Sequence, residues 1–111
     1  MQMPKEITEN YEIHNCELVM DFLKRNIGLL EYINAITPLI NNHFPDYGKC
    51  MTFSQDPEFD ELDDITIYIS TFKSSFEDDW RKLDELEREI FYITEFSTII
   101  KGFVCLDLMF Q

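Results

Sequence analysis

"DITIYISTF", residues 64–72, decides the fold. Ile65, Ile67 and Ile69 alternate with Thr66, Tyr68 and Ser70. Successive side chains of a strand point to opposite faces, and β-branched and aromatic residues suit a pleated surface. One face of this strand is wholly aliphatic and must be covered; the other is polar and aromatic. "KCMTFSQ", residues 49–55, alternates in the same way, with Met51 and Phe53 against Cys50, Thr52 and Ser54. The two stretches read as an antiparallel pair. Their connection carries six carboxylates in nine positions: Asp56, Glu58, Asp60, Glu61, Asp63 and Asp64.

Downstream the period changes. Phe76, Trp80, Leu83, Leu86, Ile90 and Ile93 recur at three and four, which is one stripe of an amphipathic helix. Ser74 with Glu77 has the spacing of a capping box. On the opposite face Glu77–Arg81, Asp78–Lys82 and Asp84–Arg88 stand at i,i+4 in the favourable order. The stripe predicts Trp80 in the core or in a subunit contact. "ITEFSTIIKG", residues 93–102, extends this helix or forms a short second one that stops at Gly102. "FVCLDLMF", residues 103–110, alternates again and reads as a third strand.

Upstream, residues 1–13 read as a polar arm. Asn15 is a candidate N-cap for a helix whose stripe is Val19, Phe22, Leu23, Ile27 and Leu30. Gly28 weakens or divides that helix. Ile33, Ile36, Leu39 and Ile40 continue the stripe until Thr37-Pro38, where proline cannot donate to Asn34 and a short helix, "PLINNHF", is expected to restart. "FPDYGK", residues 44–49, reads as a turn. The expected fold is a single domain over residues 1–111, α+β and two-layered: N-terminal helices, then β-β-α-β, with helices on one face of a three-stranded mixed sheet. The uncovered face would carry Tyr68, Phe103, Cys105 and Asp107, a candidate self-association surface for a homodimer.

The totals narrow the function. The net charge is −13, from 22 acidic and nine basic residues. Such a surface repels phosphate backbones and anionic membranes and favours encounter with basic partners. No direct nucleic-acid or membrane partner is expected; a basic protein is. The first seventeen residues carry four glutamates and no apolar run, and do not read as a signal peptide. Three cysteines without a CxxC suit a reducing compartment, so the chain is expected in the cytoplasm.

The acidic stretch does not follow an EF-hand loop. Counted from Asp56, the sixth residue is Glu61 where glycine is needed, and the twelfth is Ile67 where glutamate is needed. His14, His43, Cys16, Cys50 and Cys105 have no zinc spacing, and His43 reads as a histidine near a helix end. There is no G-x-S-x-G and no glycine-rich phosphate loop among three glycines. No metal, cofactor or catalytic residue is therefore expected. Asp56, Glu58, Asp60, Glu61, Asp63 and Asp64 are instead the candidate surface for a basic partner, of the kind an antitoxin, immunity protein or inhibitor would bind. The other readings are a small-ligand binder or enzyme without a recognisable motif, and a structural homo-oligomer subunit.

Asp56-Pro57-Glu58, Ile67-Tyr68-Ile69-Ser70-Thr71, Lys82-Leu83-Asp84 and Leu106-Asp107-Leu108 occur in an order that resembles small uncharacterised prokaryotic α+β proteins, over residues 49–110. In those proteins a tryptophan follows the leucine-aspartate segment. Here Trp80 precedes it, and Ile90-Phe91-Tyr92 stand in its place. The resemblance implies the fold and a microbial origin, and brings no biochemical function.

Overall fold

The computed structural model describes residues 3–55, 57–59 and 63–111. Five helices and four strands occur among them: α1 (Lys5–Asn10), β1 (Glu12–Ile13), α2 (Cys16–Arg25), α3 (Leu29–His43), β2 (Lys49–Ser54), β3 (Asp64–Thr71), α4 (Phe76–Phe91), α5 (Thr98–Gly102) and β4 (Val104–Phe110). The sheet order is β1-β2-β3-β4, parallel, antiparallel and parallel in turn. This is the expected α+β architecture with one more strand.

The extra strand comes from residues expected to be a polar arm. Ile7 and Tyr11, four apart, lie on one face of the short α1 segment and are both buried. The polar residues between them, Thr8, Glu9 and Asn10, conceal that pair in the sequence. The Tyr11 hydroxyl meets Thr37 Oγ1 at 2.7 Å, and Thr37 donates to the Ile33 carbonyl, also at 2.7 Å. Burial, opposed by the Thr37 hydrogen bond, pushes the Tyr11 phenol up to about 12. The following residues run beside β2, where His14 N–H donates to Met51 O at 2.9 Å.

The helical region divides at Gly28, whose φ of +94° is open to glycine at little cost. The break resets the helical phase. Leu29 becomes fully buried and Ile27, expected on the stripe, is 93% exposed. Asn15 does not act as a side-chain cap; it takes a left-handed conformation (φ 56°), and its carbonyl accepts from Leu18 and Val19. Pro38 lies inside α3 without ending it. The helix forgoes one bond to Asn34, and the packing of Ile33, Ile36 and Ile40 across the site holds it together.

The aliphatic face of β3 is the centre of the core. Ile65, Ile67 and Ile69 are fully buried with Met51 of β2, against Ile33, Ile36, Ile40 and Leu86 from the helices. Burial of each such side chain contributes about 1.5–3 kcal/mol.

The start of α4 is fixed by a buried carboxylate. Ser75, not Ser74, precedes the helix, and its hydroxyl donates to Asp79 Oδ2 at 3.0 Å. Thr71 Oγ1 donates to the same oxygen at 2.6 Å, and Tyr47 Oη donates to Oδ1 at 2.8 Å. Asp79 is 1% exposed. Burial pushes its pKa up, but the Thr71, Tyr47 and Ser75 donors and the nearby Lys82 charge together outweigh burial and hold it below the usual carboxylate value. With Asp79, Leu83, Leu86 and Ile90 facing inward, α4 turns Trp80 outward to 54% exposure. The stripe reading of Trp80 as a core residue is thus corrected. Of the three expected i,i+4 pairs, Asp84–Arg88 forms at 3.0 Å; Arg81 meets Asp78 at 3.7 Å and Lys82 meets Asp79 at 3.9 Å instead.

Candidate interaction surface

The two edges of the sheet differ. On one side the two-residue β1 lies along β2. On the other, the seven residues of β4 pair, among the described residues, with β3 alone. In a parallel ladder, alternate residues direct both backbone groups to the same neighbour. Ile65 N–H donates to Phe103 O at 2.8 Å and Gln111 N–H donates to Thr71 O at 3.0 Å, so the odd-numbered residues turn toward β3. The backbone groups of Val104, Leu106, Leu108 and Phe110 therefore turn to the free edge. Two are served by the preceding side chain: Asp107 Oδ1 accepts from Leu108 N–H at 2.8 Å, and Cys105 Sγ lies 4.0 Å from Leu106 O.

Carboxylates gather beside this edge. The Glu87 pKa is pushed up by partial burial and by the negative charges of Asp84 and Asp107. Partial burial and Asp63 push Asp64 up, against a Thr66 hydrogen bond that lowers it. Asp64, Glu87, Phe91, Val104, Cys105 and Leu106 line part of a groove of about 420 Å³ between α4 and β4. Of the nearby cations, Lys101 is turned onto the carbonyls of Ile90, Phe91 and Ile93, and Arg88 onto Asp84.

An aromatic cluster stands at the other end of β4. Phe76 packs on Phe110 at 5.1 Å and on Trp80 at 6.0 Å between centroids. Phe110 and Trp80 are more than half exposed, as is neighbouring Phe72. The sequence signal for this cluster existed in the Phe76-Trp80 spacing, but its outward direction depended on Asp79 taking the inward position.

Tyr68, Cys105 and Asp107 do come together on the uncovered face. Tyr68 is in register with Cys50 on one side and Asp107 on the other, and Glu12 follows Cys50, so a row Glu12–Cys50–Tyr68–Asp107 crosses all four strands. Phe103 does not belong to it. It precedes β4 in a helical conformation (φ −82°, ψ −4°), which breaks the alternation, and its ring packs edge-on against Phe22 at 5.4 Å on the covered side. A shallow basin of about 500 Å³ on this face includes Glu12, His14, Cys50 and Tyr68.

Neither thiol here is activated. Burial and Glu12 push Cys50 up; burial, Asp64, Asp107 and Glu87 push Cys105 up. A nucleophilic cysteine needs the opposite surroundings. His43 pairs with Glu89 across α3 and α4. Among the described residues no three His, Cys, Asp or Glu side chains are grouped to hold a metal ion.

Of the acidic stretch, Asp63 is buried, Asp64 begins β3 and Glu58 is exposed; Asp56, Asp60 and Glu61 lie outside the described residues. No helix among the described residues is long and apolar enough to cross a membrane. No protein-family model, curated protein or solved structure matches the chain.

Proposed function

We propose that this chain is a non-enzymatic interaction protein that binds a basic protein partner. The observation that carries the reading is the gathering of Asp64, Glu87 and Asp107 around Cys105 of β4, on an edge strand whose far end carries exposed Trp80 and Phe110. Negative potential speeds encounter with a basic surface, and aromatic side chains supply the apolar contact area that holds a complex together. The thiol pKa directions count against cysteine-based catalysis. Affinity capture with the intact chain tests the proposal. The retained protein should be basic and should be released as salt is raised from about 0.05 to 0.5 M, where screening shortens to a few ångströms. A neutral or acidic partner held equally at both salts would overturn it.

A second reading, self-association through the uncovered face, is favoured by the adjacency of Tyr68, Cys105 and Asp107. Against it, Glu12 and Asp107 put carboxylates at both ends of the same row. Light scattering of wild type and Tyr68→Glu decides: a dimer that the substitution converts to monomer supports it, and a monomeric wild type removes it.

A further inference from the structure

We infer that the partner docks by adding a strand to β4: an extended segment in which basic and apolar side chains alternate. The inference rests on the basic-partner proposal and names its mode.

The free edge offers the backbone groups of Val104, Leu106, Leu108 and Phe110 in one row, as derived from the flanking bonds of Phe103 and Gln111. Unpaired strand edges are templates for another strand unless blocked. No proline or lysine stands in β4 to block this one. Among the described residues, the short reach of Asp107 to Leu108 N–H, and of the Cys105 thiol toward Leu106 O, covers part of it. Both contacts are local and exposed, so an incoming strand can replace them. A residue placed opposite Asp107 in a parallel strand would donate to Leu106 O and accept from Leu108 N–H, the same two groups.

The side chains set the partner's pattern. Opposite charges directly across a strand pair attract, so the residue facing Asp107 is basic, with Glu87 close enough to feel the same charge. Its neighbours on the strand turn toward partly buried Leu106 and Leu108 and are apolar. The exposed Trp80 and Phe110 rings offer an anchor at the end of the strand. A second copy of this chain fits the edge poorly: antiparallel pairing of β4 with itself about Asp107 would set that carboxylate against its own copy.

The test uses the intact protein and a synthetic heptapeptide of alternating lysine and valine, matched to the seven residues of β4. Binding is followed by the fluorescence of Trp80, the sole tryptophan. Two further peptides carry N-methyl groups on every lysine or on every valine. An added strand turns only one of these sets toward β4, so one peptide should lose at least about tenfold in affinity and the other should bind as the parent does. Amide exchange of Leu106, Leu108 and Phe110 should slow in the complex. If both methylated peptides bind alike, or exchange slows elsewhere but not at those three, strand addition at β4 is wrong while the basic-partner proposal stands. If the parent peptide does not bind at all, strand addition at β4 falls, and the salt-dependent capture decides the basic-partner proposal separately. If the three amides are protected without peptide, in a species of dimer mass, the occupant is a second copy and the inference is overturned.

Discussion

Asp79→Ala should be among the most damaging single substitutions in this protein. The carboxylate is 1% exposed and accepts from Thr71 at 2.6 Å, Tyr47 at 2.8 Å and Ser75 at 3.0 Å. A hydrogen bond to a charged group contributes about 1.5–3 kcal/mol, and a buried donor left without an acceptor costs about 1–3 kcal/mol. Thr71 is fully buried and is left with a long 3.5 Å contact to Phe72 O, so it bears most of that loss, whereas the hydroxyls of Tyr47 and Ser75, both half-buried, recover part of theirs from water. Part of the gain is offset in the wild type by the desolvation of Asp79 itself. The net expectation is about 3 kcal/mol. For 111 residues the unfolding entropy is about 0.23 kcal/mol/K, so Tm should fall by about 13 °C. Circular dichroism melts and urea titrations at pH 7 measure this. The pH dependence gives a second check through Asp79→Asn. A carboxyl whose folded pKa lies below its unfolded value stabilises above that unfolded value, about 3.9, and loses the contribution as the pH falls through the folded one. The stability gap between wild type and Asp79→Asn should therefore be full at pH 7 and shrink below about pH 4. A loss under about 0.5 kcal/mol for Asp79→Ala, or a gap that does not narrow in acid, would refute the role given to this network.

Trp80→Ala should cost only about 1 kcal/mol in urea unfolding, because the ring is half exposed; a loss of about 3–5 kcal/mol would return it to the core. Tyr11→Phe should lose about 1 kcal/mol at pH 8 through the bond to Thr37. A phenol whose folded pKa is raised keeps its stabilising contribution below an unfolded value of about 10, and loses it between there and about 12. The wild type should therefore lose about 1.4 kcal/mol per pH unit between about 10 and 12, so the deficit of Tyr11→Phe should close before about pH 11 and reverse above it; an unchanged deficit would contradict the burial argument. Gly28→Ala should cost about 1–2 kcal/mol through its positive φ alone, since the new methyl would meet Ile100 Cδ1 at an ordinary 3.8 Å; a urea midpoint equal to wild type would show that the α2–α3 junction relaxes.

Much of the fold is legible in the sequence because burial imposes period two on β3 and period three-to-four on the helices. Ile65, Ile67 and Ile69 carry the first signal, and Leu83, Leu86 and Ile90 the second. What was not legible has physical reasons. Ile7 and Tyr11 are too few to make a stripe, so α1 and β1 read as an arm in the sequence. Hydrophobic stripes also do not anticipate a buried charge. Asp79 takes an inward position because three hydroxyls, two of them remote in sequence, converge on it, and Trp80 is displaced outward as a result. Phe103 escapes the alternation because it sits one residue before the strand, in a helical turn. The acidic character of the surface was plain from composition. Its concentration beside β4 was not, since Glu87 and Asp107 meet only once the α4 crossover brings β4 alongside β3.

The most direct measurement compares two charge reversals on α4 by calorimetric titration with the lysine–valine heptapeptide. Glu87 faces β4, where Asp107 acts on it; Glu85 is exposed, three residues after Lys82 and four before Glu89, which turn toward Tyr47 and His43 on the opposite flank. Glu87→Lys and Glu85→Lys change the net charge identically. Recognition at β4 predicts that Glu87→Lys weakens binding by about tenfold and Glu85→Lys by less than about twofold at low salt, as expected for a near and a screened charge. Equal losses from the two variants would mean that only the overall charge attracts the peptide, and would contradict a site at β4.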